Sequence, residues 1–182
     1  MIDLQQFCSD SGGRYNTHRP FVRGRFRWAT DMRFLVRVPC DEPDTVVEHG
    51  KLPKVMDVWA PGFKAQGDFV PLPALRYQLV GCEECNGTGM YICPTCSHED
   101  DCSECDGSGE VFSPWWLKIG ANIFSVKLLD KLCRLPGITV ALQGEDELGQ
   151  PISFRCDGAE GLLMPGDKAG AIRDGKYSES TV

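Results

Sequence analysis

Cys82-Glu83-Glu84-Cys85-Asn86-Gly87-Thr88-Gly89 and Cys102-Ser103-Glu104-Cys105-Asp106-Gly107-Ser108-Gly109 are one motif, C-x-x-C-x-G-x-G, written twice with 16 residues between Cys85 and Cys102. Two residues between thiolates let a tight turn aim both sulfurs at one zinc ion. The glycines that follow allow positive φ, so backbone N–H groups can turn toward sulfur and spread its charge. Two such knuckles complete a tetrahedral Cys₄ site, and the spacing fits a zinc ribbon or hairpin. Cys82, Cys85, Cys102 and Cys105 are the expected ligands. Between the knuckles lies Cys93-Pro94-Thr95-Cys96-Ser97-His98. Cys93, Cys96 and His98 are candidate ligands of a second zinc, with Asp100, Asp101 or water as the fourth. Two alternatives stand beside this: an exposed His98 with a reduced pair, and a redox dithiol at Cys93 and Cys96. One zinc is expected, and a second is left open.

The ten cysteines gain meaning from what surrounds them. Six lie between Cys82 and Cys105, while Cys8, Cys40, Cys133 and Cys156 are scattered and read as small buried apolar residues. The N-terminus, Met1-Ile2-Asp3-Leu4-Gln5-Gln6, has neither a basic nor an apolar leader segment, and no stretch approaches 18 consecutive apolar residues. A cytoplasmic, metal-binding chain is therefore expected over a disulfide scaffold, with no membrane partner. The net charge of −7 is uneven: +4 over residues 1–40, −10 over 41–113 and −1 over 114–182. That balance argues against tight, nonspecific nucleic-acid binding and leaves room for a local basic face. A ribbon this short has little apolar core, so metal would supply its folding free energy. Its loops are acidic, which favours a protein contact over a nucleic-acid one.

Outward from the ribbon, residues 3–9 predict a short helix capped by Asp3. Arg25–Trp28 and Arg33–Val38 alternate as strands around a Thr30-Asp31 turn. Pro39–Pro53 reads as a loop, Val55–Trp59 as a short strand, and Leu75–Val80 as another. After the insert, Trp115–Ile119 reads as a strand, and Ser125 caps a helix over 125–134 stopped by Leu135-Pro136-Gly137. Ile138–Leu142 and Ile152–Cys156 alternate as strands around an acidic turn at Gly144–Gly149, and Leu162–Met164 follows. The pattern is α+β, rich in antiparallel sheet with few helices. The expected division is a discontinuous domain over 1–80 and 111–166, a zinc insert over 81–110, and a mobile tail over 167–182.

The cysteine segment resembles the cysteine-rich zinc domain of the DnaJ co-chaperone family, which carries four C-x-x-C-x-G-x-G repeats. By that resemblance Cys82, Cys85, Cys102 and Cys105 match the outer pair, which binds one zinc. The inner pair is reduced here to Cys93 and Cys96, followed by His98. The likeness covers about 30 residues, and the chain has no His-Pro-Asp signature of a J-domain. The surrounding domain resembles, over about 70 residues, the closing portion of a bacterial DNA polymerase sliding clamp subunit. Trp116–Asn122, Val126–Leu132, Ile138–Leu142, Pro151–Phe154 and Leu162–Pro165 carry that likeness. So does Trp28-Ala29-Thr30-Asp31 with Phe34-Leu35-Val36, where Met32 stands in place of a glycine. The resemblance implies a clamp-like fold and a basic helix face toward DNA phosphates. Lys127, Lys131 and Arg134 lie within about 60° on a helix wheel and are the candidate nucleic-acid-binding residues. Insert-bearing small proteins of this kind look like those carried by phages.

No nucleophile–base pairing, P-loop, dinucleotide fingerprint or H-E-x-x-H motif is present. A closed Cys₄ site leaves no position for catalytic water, and no catalytic residue is assigned. The leading expectation is a non-enzymatic, zinc-binding accessory protein of DNA metabolism. The alternatives are a zinc-ribbon protein–protein adaptor with no DNA role and a thiol redox protein. A protein partner is expected, DNA is a weaker candidate, and a homo-oligomer is open.

Overall fold

Phe26–Thr30 and Phe34–Pro39 form the expected antiparallel hairpin, and its turn shows why Met32 can replace a glycine. Met32 sits at φ 69°. The Thr30 hydroxyl accepts from its amide at 3.0 Å and donates to the Phe34 carbonyl at 2.6 Å. Asp31 accepts from the amides of Arg33 and Phe34 at 2.9 and 2.6 Å. Side-chain oxygens thus hold a left-handed residue that backbone preference alone disfavours. The computed structural model describes residues 2–10, 15–46, 51–63, 68–141, 149–167 and 177–181. The acidic turn expected at Gly144–Gly149 lies, up to residue 148, outside the described residues.

In chain order the strands and helices are β1 (Phe21–Arg23), β2 (Phe26–Thr30), β3 (Phe34–Pro39), α1 (Val55–Gly62), β4 (Val70–Pro71) and β5 (Gln78–Gly81). There follow β6 (Met90–Ile92), β7 (Glu99–Asp101), β8 (Glu110–Ser113), β9 (Trp116–Ile119) and β10 (Asn122–Ser125). The chain continues with α2 (Val126–Cys133), β11 (Thr139–Ala141), β12 (Ile152–Cys156), β13 (Ala159–Leu163) and β14 (Tyr177–Thr181). A single 3₁₀ turn, Leu4–Phe7, precedes them, with the Asp3 carboxylate accepting from the Gln5 amide as an N-cap. Seven strands build the main sheet in the order β1-β2-β3-β13-β12-β11-β4, antiparallel throughout. The fold is α+β and sheet-rich, as the alternating patterns imply.

Both faces of this sheet are covered. Phe34, Val36, Phe154, Ile152 and Leu163 point to one face, where Phe7, Leu117, Phe124, Leu129 and Leu132 complete the larger core. Leu35, Trp28, Phe21 and Leu162 point to the other, against Val55 and Trp59 of α1. The period-2 geometry of a strand sends neighbours such as Leu35 and Val36 into different cores.

The segment Val55–Trp59, expected as a strand, is instead the first part of α1. Val55, Trp59 and Gly62 are its buried residues, at i, i+4 and i+7, which is a helix face. Trp59 meets Trp28 edge-on at 5.2 Å and stacks on Phe63 at 4.4 Å. The buried Ser153 hydroxyl donates to the Gly62 carbonyl at 3.2 Å, tying the helix end to the sheet. Helix α2 starts where expected, although Ser125 makes no side-chain cap. Its buried residues are Val126, Leu129 and Leu132, while Leu128 is half-buried and Cys133 is exposed. Of the scattered cysteines, Cys8 and Cys156 are buried as expected, Cys40 is half-buried, and Cys133 corrects the expectation. Burial raises the thiols of Cys8 and Cys156, the latter to about 11. Tyr177–Thr181, expected within a mobile tail, forms β14 and pairs in parallel with β9. That edge of β9 is available because β10 takes only the other side.

Gly161 faces Phe154 across the β12–β13 ladder, and a Cβ there would come within 2.1 Å of the ring. Gly161→Val is therefore expected to lower stability by about 1–3 kcal/mol through overpacking. The denaturant midpoint should fall with little change in its slope.

Candidate metal centre

The four knuckle cysteines converge as their spacing requires. Their sulfurs lie within 4.8 Å of one another, and all four residues are buried. Cys82 Sγ is 3.9 Å from Cys102 Sγ, and Cys85 Sγ is 3.8 Å from Cys105 Sγ. A tetrahedral zinc bonded at about 2.3 Å to each thiolate sets sulfur–sulfur edges of about 3.8 Å. The donor set, geometry and burial therefore fit a metal ion such as zinc.

Backbone groups brace the sulfurs in a repeated pattern. The Gly89 amide donates to Cys85 Sγ at 3.2 Å, and the Gly109 amide to Cys105 Sγ at 3.3 Å. The Thr88 and Ser108 hydroxyls, at matching positions, donate to the Cys85 and Cys105 carbonyls at 2.7 Å each. The two knuckles then lock together, because the Cys82 amide donates to the Gly109 carbonyl and the Cys102 amide to the Gly89 carbonyl, both at 2.8 Å. Gly89 has φ +77°, and a Cβ there would lie 2.3 Å from the Gly107 carbonyl oxygen. Gly109 has φ +76°, and its Cβ would lie 2.4 Å from the Gly87 oxygen. The last glycine of each motif thus serves the opposite knuckle as well as its own. The repeated motif announced the ligands, but this cross-bracing has no signature in a single copy.

Strands β5 and β8 form the stem beneath the cluster, pairing Gln78–Gly81 with Glu110–Ser113. The small core around the sulfurs adds only Val111, with Val80 and Trp115 packed against it. Trp115 therefore lies where the ribbon returns to the main domain. Beyond the cluster, β6 and β7 make a second, shorter hairpin.

Cys93, Cys96 and His98 lie at the end of that hairpin, outside the cluster. Among the described residues, no group of three or more ligand-type side chains within the same spacing includes any of them. Cys96 is exposed and Cys93 half-buried. The His98 imidazole faces Asp100 at 3.3 Å, with both side chains exposed. The backbone amides of Cys96 and Thr95 face the Cys93 sulfur and hold its thiol below the usual range.

The basic residues of α2 have intramolecular partners. Lys127 pairs with Asp106 of the ribbon, and Arg134 pairs with Asp130 at 2.7 Å. Lys131 donates to the Gln6 carbonyl and lies 4.9 Å from the Phe7 ring centre. Among the aromatics interleaved with the N-terminal arginines, Phe21, Trp28 and Phe34 are buried in the cores. Arg37 is held between the Phe26 and Trp59 rings at 3.9 and 4.0 Å and pairs with Glu160 at 2.8 Å. No helix among the described residues is long and apolar enough to cross a membrane.

Two outcomes are expected of the cluster. Stripping the metal with a chelator should unfold residues 82–109 while the main sheet persists, read as loss of amide-exchange protection confined to the ribbon. Gly89→Ala or Gly109→Ala should weaken zinc binding about 10–100-fold in a chelator competition titration. Gly81→Ala should not, because a Cβ at Gly81 meets nothing within 4 Å.

Comparison with protein-family models, with curated proteins and with solved structures finds no match, so neither a DnaJ nor a sliding-clamp relationship is shown, and the cysteine cluster stands as a candidate metal centre on its own geometry.

Proposed function

We propose that the chain is a non-enzymatic binding adaptor, in which a zinc-braced ribbon presents an apolar, acid-flanked strand to a protein partner. One observation carries the reading. Met90, Tyr91 and Ile92 of β6 are 37%, 47% and 58% exposed, in extended conformation, on an arm that has no apolar core beyond its metal cluster. Contiguous exposed apolar surface, unlike singly scattered apolar residues, marks interaction sites. Strand β7, which pairs with β6, is Glu99-Asp100-Asp101. A partner with an apolar groove and a basic rim suits that surface. The metal would hold Cys82, Cys85, Cys102 and Cys105 together and so fix the direction of the arm, supplying structure and not chemistry.

The DNA-accessory reading rests on Lys127, Lys131 and Arg134. Their pairing with Asp106, the Gln6 carbonyl and Asp130 lowers the field they offer to phosphates. The protein-contact reading is preferred for that reason. The two separate by mutation. Tyr91→Asp with Ile92→Asp is expected to abolish partner crosslinking to the ribbon while leaving zinc content unchanged. Lys127→Glu, Lys131→Glu and Arg134→Glu together should leave that crosslinking intact. Salt-sensitive retention on DNA, lost in the triple variant, would reverse the preference.

A further inference from the structure

We infer that Cys93 and Cys96 are half of a second tetrahedral thiolate site, completed when two copies of the chain meet ribbon tip to ribbon tip around one zinc ion. The inference rests on the zinc-braced arm and extends it to a specific occupant, a second copy.

The turn at Cys93-Pro94-Thr95-Cys96 closes the β6–β7 hairpin. The Cys93 amide donates to the His98 carbonyl and the Ser97 amide to the Cys93 carbonyl, each at 2.9 Å. Ser97, the residue after the second cysteine, has φ 58°. The residues at the same place in the two Cys₄ knuckles, Asn86 and Asp106, have φ 52° and 49°. A non-glycine residue in this conformation is uncommon, and here it recurs after all three C-x-x-C pairs. The third pair thus shares a distinctive backbone feature of the two that converge on the cluster.

Among the described residues, no third ligand-type side chain joins this pair. The four other ribbon cysteines are buried in their closed cluster, and His98 faces Asp100 instead of the sulfurs. Two thiolates alone are half of the coordination that zinc takes in a structural site. An identical turn on a second copy supplies the missing two with the same softness, geometry and accessibility. Exposed Cys96 at the end of an arm can be reached by such a partner, whereas the buried cluster cannot. Glu99, Asp100 and Asp101 carry like charge on both copies, so metal-free tips repel and association depends on the ion.

The test uses the full-length chain titrated with Zn²⁺, its assembly and metal content read together by native mass spectrometry. The expected species is a dimer holding three zinc ions, one in each Cys₄ cluster and one between the tips. Cys93→Ser with Cys96→Ser should give a monomer with one zinc, which also reports that the ribbon is folded. His98→Ala should leave the three-zinc dimer intact. A monomer carrying two zincs overturns the inference, as does a chain that stays monomeric with one zinc at excess metal. So does a dimer that survives the double substitution, or one that resists chelation and yields only to a reductant, which is a disulfide. Failure to bind any zinc in either protein would instead overturn the zinc-braced arm itself, so the two failures are distinguishable.

Discussion

The pairing of β3 with β13 is the constraint on which the main domain depends. It sets Arg37 opposite Glu160 and Phe34 opposite Leu163, joining residues more than 120 positions apart in sequence. On one face it brings Phe34 and Phe154 into an edge-on contact at 6.2 Å. On the other it aligns Leu35 and Leu162 beneath Trp28 and Trp59. Closing so long a loop costs entropy that grows only slowly with length. A ribbon can therefore be inserted between the two halves of the sheet without undoing their register, provided that the ribbon holds its own shape.

The ribbon does so by a different physical means. The main domain excludes water from two apolar layers, whereas the ribbon has four sulfurs and little apolar cover around them. Metal coordination is the force suited to a segment too small for a hydrophobic core. The consequence is mechanical. Strands β5 and β8 leave the sheet as a separate two-stranded stem, and apolar residues at the far hairpin stay exposed because nothing on the arm is large enough to cover them. A cysteine cluster in place of a core and an exposed strand are two results of the same lack of apolar material on the arm.

The charge distribution acquires a structural meaning in this arrangement. Basic residues of the N-terminal strands and Lys127 of α2 pair with carboxylates within the chain: Arg23 with Asp44, Arg27 with Glu42, Arg37 with Glu160, Lys127 with Asp106. The exposed pairs among them add little to stability. Their effect is on what the surface offers: the ribbon remains acidic, while the basic segments lose much of their reach toward an anionic partner.

The primary structure by itself marked Cys82, Cys85, Cys102 and Cys105 as a candidate metal-binding set, and it marked the central strands of the main sheet, β2, β3, β11, β12 and β13. The knuckle motif is local: its spacing and its glycines dictate a turn that any copy would adopt, and period-2 alternation in Phe34–Val38, Ile138–Leu142 and Ile152–Cys156 reports a strand with a buried face. It did not determine α1, because Val55–Trp59 is a short apolar stretch whose conformation depends on the Trp28 and Leu162 surface that it covers. Nor could it show that the glycine ending each knuckle clears the carbonyl of the other, that Lys127 reaches the ribbon, or that Cys93 and Cys96 lie apart from the buried cluster. Those are relations between segments distant in sequence. Only the tertiary structure decides them, because they depend on which surfaces meet when the sheet closes, and local propensity carries no record of that meeting.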